Sequence, residues 1–310
     1  MPSSAEALMR RVILAATQNS AVSTFVRQHG MRMGAARFVA GEDLDACMAV
    51  LRRLDARGLY TNTTLLGEGV NDPAAARAVV ASYQGLLDRI QREGVRTNVA
   101  LKLTHLGATL GEDLARANLK ELLAHAAGLG NFIRIDMEQS GLVDVTLRIY
   151  RRLREQGHDN VGCVLQAYLY RSEQDLRDIL PLQPNLRIVK GAYLEPPEIA
   201  YPLKADVDRA YLRLAEAALL GGGHTCIATH DERIINHVIA FTAERGIARD
   251  RFEFQMLYGV RPQYQLDLVR RGHKVLVATP FGPEWYYFFM RRLAERPANL
   301  FFVARNWFRR

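Results

Sequence analysis

Cysteine is scarce in this chain. Only Cys47, Cys163 and Cys226 occur among 310 residues, far apart and in no Cys-x-x-Cys pair. That arithmetic excludes a disulfide framework and a cysteine-rich zinc site, and points to a reducing compartment. Long apolar runs are also missing: none approaches the roughly 18 residues that cross a bilayer. Residues 9–16 begin like a signal peptide, but an apolar stretch of about five residues is too short for one, so they read as an ordinary helix. There is no His-Glu-x-x-His and no carboxylate–histidine set at ligand spacing, so no metal is expected. No Gly-x-Ser-x-Gly elbow is present. No Gly-x-Gly-x-x-Gly follows the first strand, and Gly221-Gly222-Gly223 precedes a strand and reads as a helix stop.

What is there is ordinary globular usage, 49% hydrophobic and 24% charged, which excludes disordered, collagen-like and coiled-coil chains. Lys and Arg number 41 against 33 Asp and Glu, a net charge of +8. Such an excess fits nucleic acid, an anionic membrane surface or an anionic ligand. No basic run is interleaved with aromatics and no RNP-like motif occurs, so nucleic acid is not expected. A solvated basic face is the plain alternative, with a modest cluster at Arg291, Arg292, Arg296, Arg305, Arg309 and Arg310.

From residue 60 onward a short β-rich run alternates with a longer amphipathic one. Strands are expected at 62–66, 97–103, 132–136, 161–168, 186–190, 224–228, 251–256 and 274–278. Several are continuously apolar, as suits parallel strands buried on both faces. Helices are expected at 73–92, 113–127, 143–156, 173–180, 204–220, 232–245, 261–271 and 284–295. Eight repeats argue for an α/β fold of the (β/α)8 TIM-barrel type, with an open doubly wound sheet as the alternative. Residues 1–58 read as an N-terminal helical arm (helices 5–18, 21–27 and 42–57), and 59–310 as the barrel catalytic domain, whose C-terminal helix closes the active site.

In such a barrel the chemistry lies at the carboxyl ends of the strands. Lys102 and Lys190 end apolar strands there. Each suits a Schiff base, an anion anchor, or a plain ion pair with Asp136 or Glu138. Arg187 and Lys190, three apart, point to opposite faces unless the strand is ending. Gly191 lets the backbone bend and a flat ligand approach. Thr229-His230-Asp231 opens a helix, where a cationic His230 would favour a phosphate; packing or capping is the alternative. In the last helix Arg291 and Arg292 diverge by about 100° yet can converge on one carboxylate, and Glu295 can orient Arg291. A surface arginine pair is the plain alternative.

Taken together, Arg187-Ile-Val-Lys-Gly-Ala-Tyr193, Ala228-Thr-His230, Phe254-Gln-Met-Leu-Tyr-Gly259 and the Arg291-Arg292 helix resemble the proline dehydrogenase family, in order and spacing, from about Leu65 onward. The resemblance implies a distorted barrel holding FAD non-covalently. It implies oxidation of L-proline to Δ1-pyrroline-5-carboxylate by hydride transfer from C5 to flavin N5, with electrons passed to a membrane quinone. It places Arg187 near N5. Met137, Gln166, Val189, Lys190, Gly191, Ala192, Lys204, Ala228, Thr229, His230 and Gln255 would contact the cofactor. Arg291, Arg292 and Lys102 would bind the substrate carboxylate, Asp136 would hold Lys102, and Tyr193 and Leu257 would wall the ring. Glu68 would pair with an arginine to close the site. The implied setting is cytoplasmic, at the inner face of a bacterial plasma membrane, with a pyrroline-5-carboxylate dehydrogenase as a further partner. No residue stands out as a base for the proline amine.

Two positions depart from the family pattern. Ala278 stands where a tyrosine commonly packs on the substrate ring, and Phe288 where another tyrosine is usual; Tyr286 and Tyr287 are expected to compensate. The smaller Ala278 predicts tolerance of, or specificity for, 4-hydroxyproline. From residues alone, a Schiff-base aldolase using Lys102 or Lys190 is the competing enzyme, and a proline-responsive or nucleic-acid-binding barrel the non-enzymatic alternative.

Overall fold

The computed structural model describes residues 19–67 and 69–295, with side chains except at 21, 22, 32, 33 and 291–295. The expected helix at 5–18 lies outside them. Eight parallel strands close on themselves in sequence order: β1 (Tyr60–Leu65), β2 (Thr97–Leu101), β3 (Ile133–Ile135), β4 (Val161–Gln166), β5 (Asn185–Val189), β6 (His224–Ala228), β7 (Phe252–Leu257) and β8 (Val275–Phe281). Closure is made by β1 against β8, in register from Tyr60↔Leu276 to Leu65↔Phe281. A closed barrel excludes the open doubly wound sheet.

The intervening helices are α3 (Pro73–Glu93), α4 (Glu112–Gly128), α5 (Val143–Glu155), α6 (Ser172–Ile179), α7 (Lys204–Leu220), α8 (Glu232–Glu244), α9 (Pro262–Arg270) and α10 (Trp285–Glu295). Among the described residues two more, α1 (Ser20–Met33) and α2 (Leu44–Asp55), precede β1. Local chemistry sets the ends. In α3, Asp72 accepts the Ala75 N–H at 2.8 Å, Pro73 sits in the first turn, and Gly94 ends the helix at φ 64°. Among the described residues no helix is long and apolar enough to cross a membrane.

The strand boundaries differ from expectation where remote backbone intervenes. β8 runs on through Pro280 and Phe281 because Ala40 donates to Pro280 O and Leu66 to Phe281 O, both at 2.7 Å. A proline can sit there because the rung needs only its carbonyl. β2 and β4 stop short of 103 and 168: Thr104–Leu106 forms a 3-10 turn after β2, and Leu169 N–H folds back onto Gln166 O after β4. α1 outruns its expected end at 27. Its Gly30 lies so close to Trp285 of α10 that a Cβ would fall 2.6 Å from the indole.

The apolar face of α2 (Cys47, Met48, Leu51) joins the main core with the barrel strands. A second, smaller core unites Ala35, Phe38 and Val39 with Leu66, Trp285, Tyr286 and Phe289. Trp285 Nε1 also donates to Glu42 Oε1 at 2.8 Å. The segment before the barrel therefore braces α10, the element that reaches over the strand ends.

Candidate active site

A cavity of about 590 Å³ opens at the carboxyl ends of the strands. Every cofactor contact implied by the resemblance, from Met137 to Gln255, lines it, as do Lys102, Asp136, Tyr193 and Leu257. Glu68 lies outside the described residues. Positions 291, 292 and 295 fall on α10, but their side chains lie outside the described ones.

Arg187 is the electrostatic centre. It is buried on β5, Nη1 donating to Asp136 Oδ1 at 2.7 Å and Nη2 to Asn62 Oδ1 at 2.6 Å. Burial pushes its pKa below the ordinary guanidinium value, against the opposing charge of Asp136. Its Nε has no hydrogen-bond partner among the described residues. Asn62 is itself aimed by a hydrogen bond to Asn98. Neither asparagine was expected as a site residue. The available signal was a carboxamide near the start of each of two strands that pack on both faces. Asp136 thus meets Arg187, and Lys102, which follows β2 as Asp136 follows β3, lines the same cavity.

Gln166 ends β4 at 2% exposure, and its Oε1 also has no partner among the described residues. A buried carbonyl without a donor is costly by roughly 1–3 kcal/mol. In a cavity wall such an atom is available to accept an N–H or O–H from whatever fills the cavity.

Lys190 does not meet Asp136 or Glu138. Its Nζ donates to Asp208 Oδ1 at 2.5 Å and lies 3.3 Å from Asp231 Oδ2. Lys204 joins both carboxylates, pairing with Asp208 one turn along α7 and with Asp231 at 3.7 Å. Burial works against ionisation of Asp208, yet the two lysines outweigh it and hold its pKa below the usual carboxylate range; Asp231 is held down in the same way. Glu138 instead accepts from Thr104 N–H and Oγ1, at 3.1 and 2.7 Å. The sequence reading missed Asp208, for which the i,i+4 spacing from Lys204 was the signal, and named Asp231 only as part of a helix start.

His230 accepts the Leu257 N–H at Nε2, 2.9 Å away. A ring nitrogen that accepts carries no proton, so His230 is neutral here and not the expected cation. Asp231 caps α8 by accepting the Arg233 N–H. Gly191 has φ 113°, but a Cβ there would lie 2.2 Å from the Tyr168 ring. The glycine thus makes room for a neighbouring tyrosine, at a bend of the backbone that itself lines the cavity. Ala278, Phe288 and Leu257 stand in the cavity wall. Tyr286 and Tyr287 do not compensate there: both turn toward Arg27 of α1, with ring centres 5.1 and 5.9 Å from its guanidinium.

His224, Cys226 and Glu253 bring one ligand atom each within 4.8 Å of one another. Cations already meet that charge, Lys274 at 2.8 Å from Glu253 and Arg134 at 3.4 Å from Cys226 Sγ.

Strand ends that converge on one cavity lined by paired cations are the arrangement of a barrel enzyme. The chain belongs to the proline dehydrogenase family, whose model, described as Proline dehydrogenase, matches residues 47–305. It is 42% identical over 303 residues to the proline dehydrogenase of Deinococcus radiodurans, covering 96% of this chain and 97% of that one. It is 38% identical over 299 residues to proline dehydrogenase 1 of Bacillus subtilis, covering 96% and 99%. In fold it is similar to proline utilization A of Bdellovibrio bacteriovorus, solved after inactivation by N-propargylglycine. The TM-score is 0.79 at 23% identity, over 87% of this chain and 33% of that one.

Proposed function

We propose that the protein oxidises L-proline to Δ1-pyrroline-5-carboxylate with FAD held in the cavity, passing the electrons to a membrane quinone from the cytoplasmic face. The observation that carries the cofactor is the pair of unsatisfied buried atoms in the wall, Gln166 Oε1 and Arg187 Nε. One needs a donor and the other an acceptor. The edge of an isoalloxazine ring supplies both, so the residues present fit the group. When bound, FAD supplies a hydride acceptor for proline C5 at its N5 atom.

The chain's own residues do the rest. Arg187, held by Asp136 and Asn62, keeps a fixed positive charge in a site of low dielectric, where it stabilises negative charge as it arrives. Lys190 and Lys204, fixed by Asp208 and Asp231, offer anchored cations to the phosphates. Leu257 and Tyr193 wall the substrate ring. Lys102 with Arg291 and Arg292 binds its carboxylate, and Glu68 pairs with an arginine as the site closes. The hydroxyl of 4-hydroxyproline is accommodated beside Ala278. A separate pyrroline-5-carboxylate dehydrogenase takes the product.

A Schiff-base role for Lys190 finds no support, because its Nζ donates to two carboxylates, the arrangement of an anchored cation rather than a neutral nucleophile. The test is an anaerobic visible spectrum of the purified protein before and after L-proline. Flavin bands that bleach support the proposal. Bands that persist with both proline and 4-hydroxyproline overturn the substrate, and a protein that stays colourless after FAD is added overturns the cofactor.

A further inference from the structure

Beyond the wall of the cavity, one arginine stands in an unusual backbone state. Arg261 has φ 51° and ψ 50°; Gln183 is the other non-glycine residue at positive φ among those described. It also precedes Pro262, a second restriction on its backbone. Such a conformation persists where the surroundings hold it. Here Nη1 donates to the His230 carbonyl at 3.0 Å and Nη2 to Glu232 Oε2 at 2.6 Å, and the guanidinium lies 4.5 Å from the centre of the Tyr264 ring. One planar fork therefore spans the turn from His230 to Glu232.

That turn breaks the β6–β7 ladder in a specific way. Thr229 N–H still donates to Gln255 O at 3.2 Å. The next rung of a parallel ladder would run from Leu257 N–H to the Thr229 carbonyl. The His230 Nε2 takes that N–H instead. The imidazole thus stands in for a backbone carbonyl at the cavity wall, its proton is confined to Nδ1, and both His230 and Leu257 line the cavity.

We propose that Arg261, itself outside the lining, is a positioning residue: it clamps the His230–Glu232 turn so that His230 stays a neutral ring, accepting from Leu257 at Nε2 and donating at Nδ1 to an acceptor atom of the ligand in the cavity. This rests on the reading that the ligand is FAD, but the state of the ring is measurable without it.

The experiment uses the full chain labelled with 15N-histidine, freed of FAD, alongside Arg261→Gln, Arg261→Lys, His230→Asn and His230→Leu. Imidazole 15N spectra of the wild type should show His230 fixed in the Nδ1–H form, and Arg261→Gln should average the two tautomers. FAD titration should then show an affinity loss of about tenfold in Arg261→Gln, the usual scale for removing a group that orients a ligand. Arg261→Lys should lose less. Asn at 230 keeps an acceptor and a donor and should retain more affinity than Leu. With saturating FAD, kcat of Arg261→Gln should return toward wild type, because the clamp touches no reacting atom. An Nε2–H tautomer in the wild type overturns the proposal. So does an Arg261→Gln variant with unchanged 15N spectra and unchanged FAD affinity. If the wild type binds no FAD, the cofactor reading fails, while the 15N spectra still decide the clamp.

Discussion

A buried guanidinium such as that of Arg187 is tolerable only while its charge is met. Asp136 and Asn62 meet it on two nitrogens and leave the third for the cavity. Replacing Asp136 by Leu should destabilise the protein by about 3 kcal/mol, read as a shift in urea midpoint, because the charge is left with a neutral amide alone. Arg187→Met should lower kcat/KM for proline by about 10²- to 10³-fold. Gln166→Leu should separate two roles. The FAD-free protein should melt no lower than wild type, since an unsatisfied acceptor has gone, whereas retention of FAD should weaken. At this scale the sequence is legible where a side chain ends a strand, as Arg187 and Gln166 do. It is opaque where the partner is remote, since nothing near Arg187 in the chain points to Asn62, and nothing near Lys190 points to Asp208.

The elements obey local rules until another element interferes. The Asp-Pro start of α3 and the span of α7 are readable from their own residues. The end of β8 is not, because Ala40 and Leu66 supply the hydrogen bonds that prolong it. Gly191 was legible as a bend, but the Tyr168 ring that crowds it from the neighbouring loop was not. Gly191→Ala should cost about 1–3 kcal/mol of stability, measured by thermal melting, and should disturb the cavity wall through Tyr168. On α10, Phe288 faces the cavity while Tyr286 and Tyr287 face α1, which leaves the space beside Ala278 without a tyrosine. Ala278→Tyr should therefore reduce the ratio of kcat/KM for 4-hydroxyproline over proline, by about 1–3 kcal/mol in transition-state terms. An unchanged ratio would show that position 278 does not select.

Across the whole molecule the excess of positive charge was legible from composition, but its distribution was not. Part of it is spent inside the barrel. Glu253 is buried, which works against its ionisation, yet His224 and Lys274 prevail and hold it well below the usual carboxylate range. The sign follows directly. A carboxylate whose folded pKa lies below its unfolded value of about 4.3 stabilises the fold above that pH and ceases to do so as acid protonates it. Wild-type stability should fall as pH drops below about 4, and Glu253→Gln, weaker at neutral pH, should show a flatter acid limb in urea melts. The eightfold alternation was visible in the sequence because each strand–helix unit carries its own periodicity. Closure of the ring was visible only as a consequence of the count.

That closure also governs how the protein is made. Thr63 of β1 hydrogen-bonds to Thr279 of β8, 216 positions later. At a synthesis rate of roughly 5–20 residues per second, the first strand waits on the order of ten seconds or more for its second neighbour. Through that interval the nascent sheet keeps two unpaired margins, each able to recruit another unfinished chain. The yield of native protein should therefore depend on what shields those margins on the ribosome, and slower initiation or a chaperone that occupies a strand margin should favour the finished ring.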